Sequence, residues 1–318
     1  INPLSLISLS IESPNLLAGV DAHKLSAAQK ASGQALVPFR RLMQSDHFSW
    51  TVIAVPSEDW AAQVFEDAPQ NERVALLWDA IFKAVRADVD NPIEAWKQLD
   101  ATLHEKANYL NELNIESLHY DAPGTKLTIG LPEGHLWTGG SSVNRDGHVF
   151  MANMPTEEVF TVPHRDRVNG YVSSTKPLSY SGNIIDHFTI TFKDGKIVAI
   201  EAEKGQDVLQ QLIDTDEGAR HLGEVALVPH DSPISNANIL FYNTLFDENA
   251  SNHLAIGSAY TFCLEGGKEM TPEQTKAHGL NDSMTHVDFM IGSSEMNIDA
   301  TTKDGRTVPI FRQGNWAF

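Results

Sequence analysis

The stretch DHFTITFKDGKIVAIEAEKG, residues 186–205, carries the clearest local indication of structure in the chain. Two runs rich in β-branched and aromatic residues, FTITF and KIVAI, flank Asp194-Gly195, a dipeptide typical of a type I′ turn. The stretch therefore predicts an antiparallel hairpin. Short β runs (KLTIGL, HVFMAN, NGYVSST) and a second hairpin (MNIDATTKDGRTVPIF) surround it, so we predict an α+β domain with a mixed sheet for residues 116–318.

The part of the chain before residue 116 has a different pattern. A compact apolar run, SWTVIAV at 49–55, predicts a strand, and an alternating run ending at Ser13-Pro14 predicts another strand and a turn. Two amphipathic helices are predicted over 71–89 and 92–114. This alternation predicts an α/β domain with an open, mainly parallel sheet over residues 1–115. Two domains also suit a length of 318 residues.

Composition restricts the classes of partner. The chain has 23 Lys and Arg against 42 Asp and Glu, a net charge of −19, which argues against nucleic acid or an anionic membrane as a partner. No apolar run approaches the roughly 18 residues of a membrane span. Cys263 is the single cysteine, which excludes an intrachain disulfide and any multi-cysteine metal site, and fits a cytoplasmic location.

The triplet His286-Val287-Asp288 is the first candidate for chemistry. In a strand, residues i and i+2 point to the same face, so the side chains of His286 and Asp288 can meet at one site. Imidazole with carboxylate suits zinc, cobalt or manganese. His253 and Tyr260 precede the triplet in the same segment, and the passage FYNTLFDENASNHLAIGSAY at 241–260 is predicted to be rich in helix, with His253 on its last turns. The alternative is a structural or solvent-facing pair.

Two acidic positions add to this candidate. Glu157 and Glu158 lie between two apolar runs, and Glu224 begins the apolar strand EVALV. A carboxylate beside a buried strand carries a desolvation cost unless a cation or a hydrogen-bond donor meets it. Taken singly, each position also fits a solvent-facing strand end.

Four separated motifs give these positions a common context: NMPTEEVFT at 153–161, LGEVALV at 222–228, ASNHLAIGSAY at 250–260 and HVDFMIG at 286–292. Their order and spacing resemble the thermophilic-aminopeptidase family of metallopeptidases. The resemblance covers the whole second half, and the first half is similar to the later part of the family's N-terminal domain. It implies that roughly a hundred residues upstream of Ile1 are missing, and a chain that begins at Ile rather than Met agrees with this expectation.

The resemblance implies a site with two divalent metal ions, zinc or cobalt, with magnesium or manganese also possible. The ligands that it implies are Glu158, Glu224, His253, His286 and Asp288, with Tyr260 at or next to the metals. It further implies a homodimeric aminopeptidase that releases single residues from the free N-termini of peptides through a water activated by both metals.

Roles within this site are assigned as follows. Glu224 is expected to bridge the metals. Glu157 is expected to act as general base by analogy with paired glutamates in other dinuclear aminopeptidases, although it could instead be a carboxylate that faces away. Tyr260 has two possible roles, a hydrogen-bond donor to the developing oxyanion or a metal ligand.

Two other functional classes fit the same residues. The chain could be an inactive or assembly-only form that binds metal without turnover. It could also be a non-peptidase metallohydrolase, such as an amidase, which would not need a free α-amine in its substrate.

Overall fold

The computed structural model describes residues 5–11, 13, 16–17 and 19–318. The first predicted strand is described from Ser5 onwards, whereas residues 1–4 and Pro14 lie outside the described residues. Within the described chain, no helix has both the length and the apolar character needed to cross a membrane.

Helices dominate the region before residue 113 and are short after it. The α-helices are α1 (Ala22–Ala35), α2 (Val37–Gln44), α3 (Glu58–Val64), α4 (Arg73–Ala84), α5 (Pro92–Glu112), α6 (Gln206–Ile213), α7 (Pro233–Asn236), α8 (Thr244–Glu248) and α9 (Pro272–Ala277). The N-terminal ends of α3 and α5 are explained by capping residues in the sequence. The side chains of Ser57 and Asn91 accept the backbone N–H groups of Trp60 and Glu94, and Pro92 opens α5.

Strands make up most of the remaining chain. They are β1 (Ser5–Ser10), β2 (Ser49–Ala54), β3 (Ile115–Ala122), β4 (Thr125–Gly130), β5 (Thr138–Gly139), β6 (Ser142–Val143), β7 (Val149–Phe150), β8 (Asn153–Met154), β9 (Val159–Thr161), β10 (Val168–Ser173), β11 (Leu178–Tyr180), β12 (Asn183–Lys193), β13 (Lys196–Lys204), β14 (Leu222–Leu227), β15 (His253–Gly257), β16 (His286–Met290), β17 (Asn297–Thr302), β18 (Thr307–Arg312) and β19 (Asn315–Trp316).

A small parallel sheet contains the two strands predicted near the start of the chain. Its order is β1-β2-β8, and both strand pairs are parallel. The parallel pairing agrees with the expectation for the first part of the chain. The third strand, however, comes from residues 153–154, beyond the predicted boundary at 115/116.

The predicted hairpin lies in a nine-stranded antiparallel sheet of order β11-β12-β10-β4-β3-β17-β18-β19, with β13 paired to β12. Asp194 and Gly195 have φ angles of 49° and 79°, as a type I′ turn requires. A Cβ at position 195 would also lie 1.8 Å from the Arg165 carbonyl oxygen, so only glycine fits there. The second predicted hairpin is confirmed as β17 and β18.

A five-stranded antiparallel sheet of order β16-β15-β14-β9-β5 holds the candidate site. Strand pairs are antiparallel throughout this sheet and the nine-stranded one. The mixed sheet predicted for residues 116–318 is therefore wrong for these two sheets. Several of their neighbours are joined by short turns, which allow only antiparallel pairing.

The hydrophobic cores cross the predicted domain boundary. Leu99, Leu103 and Leu110 of α5 pack into the same core as the two antiparallel sheets. A second core joins α3 and α4 to residues of the second half, including Phe241 and Phe246. A division into residues 1–115 and 116–318 thus stays a prediction, while the mixture of helices and several sheets is observed.

Candidate metal centre

The register of the five-stranded sheet places four polar side chains on one face. Glu224 of β14 and Asp288 of β16 both lie opposite Ala255, on either side of β15. His286 lies opposite Gly257, and His253 is two residues before Ala255 on the same strand. Since alternate residues of a strand share a face, all four side chains project together. The small residues Ala255 and Gly257 leave room between them.

Glu158 completes the cluster from the residue immediately before β9. Its Oε2 lies 2.9 Å from His253 Nε2, and Glu224 Oε1 lies 3.6 Å from the same nitrogen. On the other side, His286 Nε2 lies 3.5 Å from Glu224 Oε2 and 3.6 Å from Asp288 Oδ1. Glu224 therefore directs one oxygen to each histidine and is shared by two triads of potential ligands.

Two carboxylate oxygens of the cluster are buried without a hydrogen-bond partner from the described residues. Glu158 and Glu224 are 7% and 4% exposed, and His253 is 1% exposed. Among the described residues, Glu158 Oε2 and Asp288 Oδ1 have no hydrogen-bond partner; the 2.9 Å approach of His253 to Glu158 lacks hydrogen-bond geometry. Such groups are costly unless a cation meets them. Within each of the two triads that share Glu224, the ligand atoms lie within 4.8 Å of one another. Imidazole nitrogen with carboxylate oxygen suits a divalent cation.

Backbone carbonyl groups fix both histidines. His253 Nδ1 lies 3.0 Å from the Ser251 oxygen, and His286 Nδ1 lies 2.7 Å from the Ser258 oxygen. A carbonyl can only accept, so each Nδ1 carries the hydrogen. Each Nε2 then faces the carboxylates and can offer its lone pair to a cation once it loses its proton, which is the usual orientation of a metal-binding histidine.

Without a cation, the cluster keeps protons on its histidines. Burial alone would lower the pKa of His286, but Asp288 and Glu224 raise it to about 9, and Glu158 and Glu224 likewise raise the pKa of His253 well above its ordinary value. Burial would raise the pKa of Glu224, yet both histidines lower it to about 2. Burial raises the pKa of Glu158 and Asp288.

Glu248 is a member of the cluster that the sequence did not indicate. It ends α8, is buried, and forms a third potential triad with His253 and Asp288. Burial and the surrounding carboxylates raise its pKa well above the ordinary value. The passage around it was predicted to be helical as far as His253, which is wrong because the helix stops at Glu248 and His253 begins β15.

Glu157 has surroundings different from those of its neighbour Glu158. Its Oε2 accepts a 3.0 Å hydrogen bond from Arg86 Nη2, and Arg86 Nη1 contacts Oε1. Its own backbone N–H donates to Asn249 Oδ1 at 2.7 Å. Glu157 is buried, but it does not line the cavity described next. Both of its carboxylate oxygens are therefore engaged by a cation of the protein itself.

A cavity of about 460 Å³ opens onto the cluster. Tyr260 lines it beside the site, with its ring centroid 4.7 Å from that of His286, and stacks on Phe262 at 5.2 Å. Burial and the nearby carboxylates raise the pKa of Tyr260, so its phenol stays a hydrogen-bond donor. Arg40 of α2 and Trp50 of β2 also line the cavity. Residues from both halves of the chain thus enclose the site.

Comparison with known proteins shows the family to which the chain belongs. The family model of thermophilic metalloproteases (M29) matches residues 3–316. The chain belongs to this family. Aminopeptidase AmpS of Bacillus subtilis is 60% identical over 317 residues, covering 100% of this chain and 77% of that relative. Aminopeptidase 2 of Geobacillus stearothermophilus is 50% identical, covering 99% of this chain and 76% of the relative.

A solved structure shows the same fold. Wild-type AmpT from Thermus thermophilus matches with a TM-score of 0.90 and 43% identity, over 99% of this chain and 77% of that one. The family resemblance predicted from the four motifs is therefore confirmed. The chain spans about three quarters of the length of these relatives, and the expected segment upstream of Ile1 stays a prediction.

Proposed function

We propose that this protein is a metal-dependent aminopeptidase whose site holds two divalent metal ions. The observation that carries the proposal is the pair of ligand triads that share Glu224. Glu158 and His253 would hold one ion, His286 and Asp288 the other, and Glu224 both. Zinc or cobalt suits this set of nitrogen and oxygen donors, and manganese or magnesium are further candidates. The names of the relatives supply the reaction class.

Two such ions, when bound, would lower the pKa of a water molecule and polarise the scissile carbonyl group of a peptide. The remaining steps belong to side chains of the chain. Tyr260, which keeps its proton, would donate a hydrogen bond to the oxyanion that develops on the substrate. Residues from both halves of the chain line the cavity and would partly shield a bound substrate from bulk water.

A carboxylate must carry the proton from the water to the leaving amine. Glu157 was predicted for this role, but both of its oxygens face Arg86. Glu248 lines the cavity with a carboxylate oxygen within 4.8 Å of ligand atoms of His253 and Asp288, whereas Glu157 does not line the cavity. We assign the proton transfer to Glu248.

The test compares leucyl anilide with N-acetyl-leucyl anilide in metal-loaded protein. An aminopeptidase should cleave only the unblocked substrate, because it requires a free α-amine, whereas equal cleavage would indicate an amidase. The Glu224→Gln variant should lose metal and activity together. Glu201→Gln removes an exposed carboxylate from β13 and serves as the matched control. Metal binding without turnover of either substrate would contradict the proposal.

A further inference from the structure

Arg40 is an unusual residue of the cavity wall. Of the described residues that line the cavity, Arg40 alone is a Lys or Arg, whereas six lining residues are Asp or Glu. These carboxylates are Asp46, Glu158, Glu224, Glu248, Asp282 and Asp288. Most of them belong to the candidate metal centre or lie beside it, so Arg40 is a separate positive group within the same enclosure.

Two backbone carbonyl groups hold the Arg40 guanidinium in place. Nη2 donates to the Gly33 oxygen at 2.6 Å, and Nη1 donates to the Met284 oxygen at 3.3 Å. A guanidinium has five N–H groups, so donors remain after these two bonds. No described carboxylate lies within 4.0 Å to neutralise it. The side chain is half-buried, and its charge is thus available to a ligand in the cavity.

The bond to Met284 ties the Arg40 guanidinium to the segment that leads into the metal centre. Met284 comes two residues before His286, and two extended residues span at most about 7 Å. A dipeptide or tripeptide bound with its amine at the metal centre extends over a similar distance, about 7 to 10 Å. Its C-terminal carboxylate would then come within reach of the free N–H groups of Arg40.

We propose that Arg40 binds the α-carboxylate of short peptides and so makes the enzyme favour dipeptides and tripeptides that end in this cavity. Arginine binds carboxylates through paired N–H groups, and a partly enclosed site strengthens such a bond. Without Arg40, a free carboxylate would meet a wall that is otherwise acidic. This inference rests on the proposed aminopeptidase function, and it adds a specificity-determining residue to it.

The experiment measures competition between Leu-Gly and Leu-Gly amide in one sample of metal-loaded enzyme, so that metal content cancels from the ratio of kcat/KM values. The wild type should favour the free acid by about ten- to a hundredfold, the range expected for a hydrogen bond to a charged group. Arg40→Gln should bring the ratio near one by slowing cleavage of the acid alone. Arg40→Lys, which keeps the charge, should retain part of the preference.

Two controls separate this role from a structural one. Arg145→Gln removes an exposed arginine that does not line the cavity and should leave the ratio unchanged. If Arg40 only ties its helix to the loop before β16, Arg40→Gln would slow both substrates equally, and the proposal would be overturned. Equal cleavage of both substrates by the wild type would also overturn it. Failure to cleave either substrate would instead overturn the aminopeptidase function itself.

Discussion

At the scale of single residues, Glu157 gives the sharpest contrast between expectation and structure. Its ion pair with Arg86 is largely buried, with the two side chains 6% and 17% exposed. Removing one partner of a buried pair costs about 3–5 kcal/mol, because the other charge stays buried and unpaired. Glu157→Gln should therefore lower the free energy of unfolding, measured by denaturant titration, and leave the number of bound metals unchanged. Unchanged stability with kcat reduced more than about a hundredfold would restore Glu157 as general base.

A change at Glu248, unlike one at Glu157, should affect catalysis rather than stability. Glu248→Gln should keep both metals and lower kcat by about 10² to 10⁴, the range for loss of a general base. Metal analysis beside steady-state kinetics checks this result. Loss of one metal ion from the variant would make Glu248 a ligand rather than a proton carrier. The exposed Glu269→Gln is the control.

The sequence identified some of these residues and missed others for a physical reason. Glu158, Glu224, His253, His286 and Asp288 each lie at or beside a strand with a recognisable motif, and the structure brings them together. Their role as ligands stays a prediction. The contacts of Glu157 and Glu248 depend on how distant segments pack. Arg86, for example, reaches Glu157 from the end of α4 with a φ of 55°, which local pattern does not indicate.

At the scale of elements, the pairing of β15 with β16 depends on Gly257. Its φ is +110°, and a Cβ there would lie 2.2 Å from the Thr285 oxygen, beside His286. Gly257→Ala should therefore destabilise the fold and weaken metal binding by the triad that contains His286. Gly305→Ala is a matched control, since its φ is +83° with nothing within 4 Å, and it should cost only about 1–2 kcal/mol. Thermal unfolding and metal titration measure both effects, and equal losses in the two variants would contradict the account.

Predictions of elements succeeded where local pattern suffices. The hairpin of β12 and β13 needs only alternating residues and an Asp-Gly turn. The helix predicted up to His253 failed because side chains of the following residues bind other parts of the backbone. Asn249 Oδ1 accepts the Glu157 N–H, and Asn252 Oδ1 accepts the Val228 N–H. Such bonds compete with continued helix, and they fix the strands that carry the site.

At the scale of the whole molecule, metal binding should be linked to protons. His286, with a pKa of about 9, and His253, with a raised pKa, carry protons at pH 7 in metal-free protein, whereas metal ligation needs neutral imidazole. Binding at pH 7 should therefore release protons, and the number should fall as the pH rises past about 9. Calorimetry in buffers with different ionisation enthalpies counts these protons. No release at pH 7 would contradict the cluster described above.

The same pKa values set the stability of the metal-free fold. The folded pKa of His286, about 9, exceeds the ordinary value of 6.5. The stabilisation that protonated His286 gives to the folded state is complete below pH 6.5 and is lost as the pH rises through about 9. The metal-free protein should thus become less stable over this range. The metal-loaded protein should not, since its histidines are already neutral. Urea unfolding at several pH values distinguishes the two forms.

The most direct test of the account is a titration of metal-free protein with zinc or cobalt, following bound metal and cleavage of leucyl anilide together. The shared carboxylate predicts that activity returns as occupancy approaches about two ions per chain. Full activity without metal, or saturation at a single ion, would contradict a centre built from two triads around Glu224.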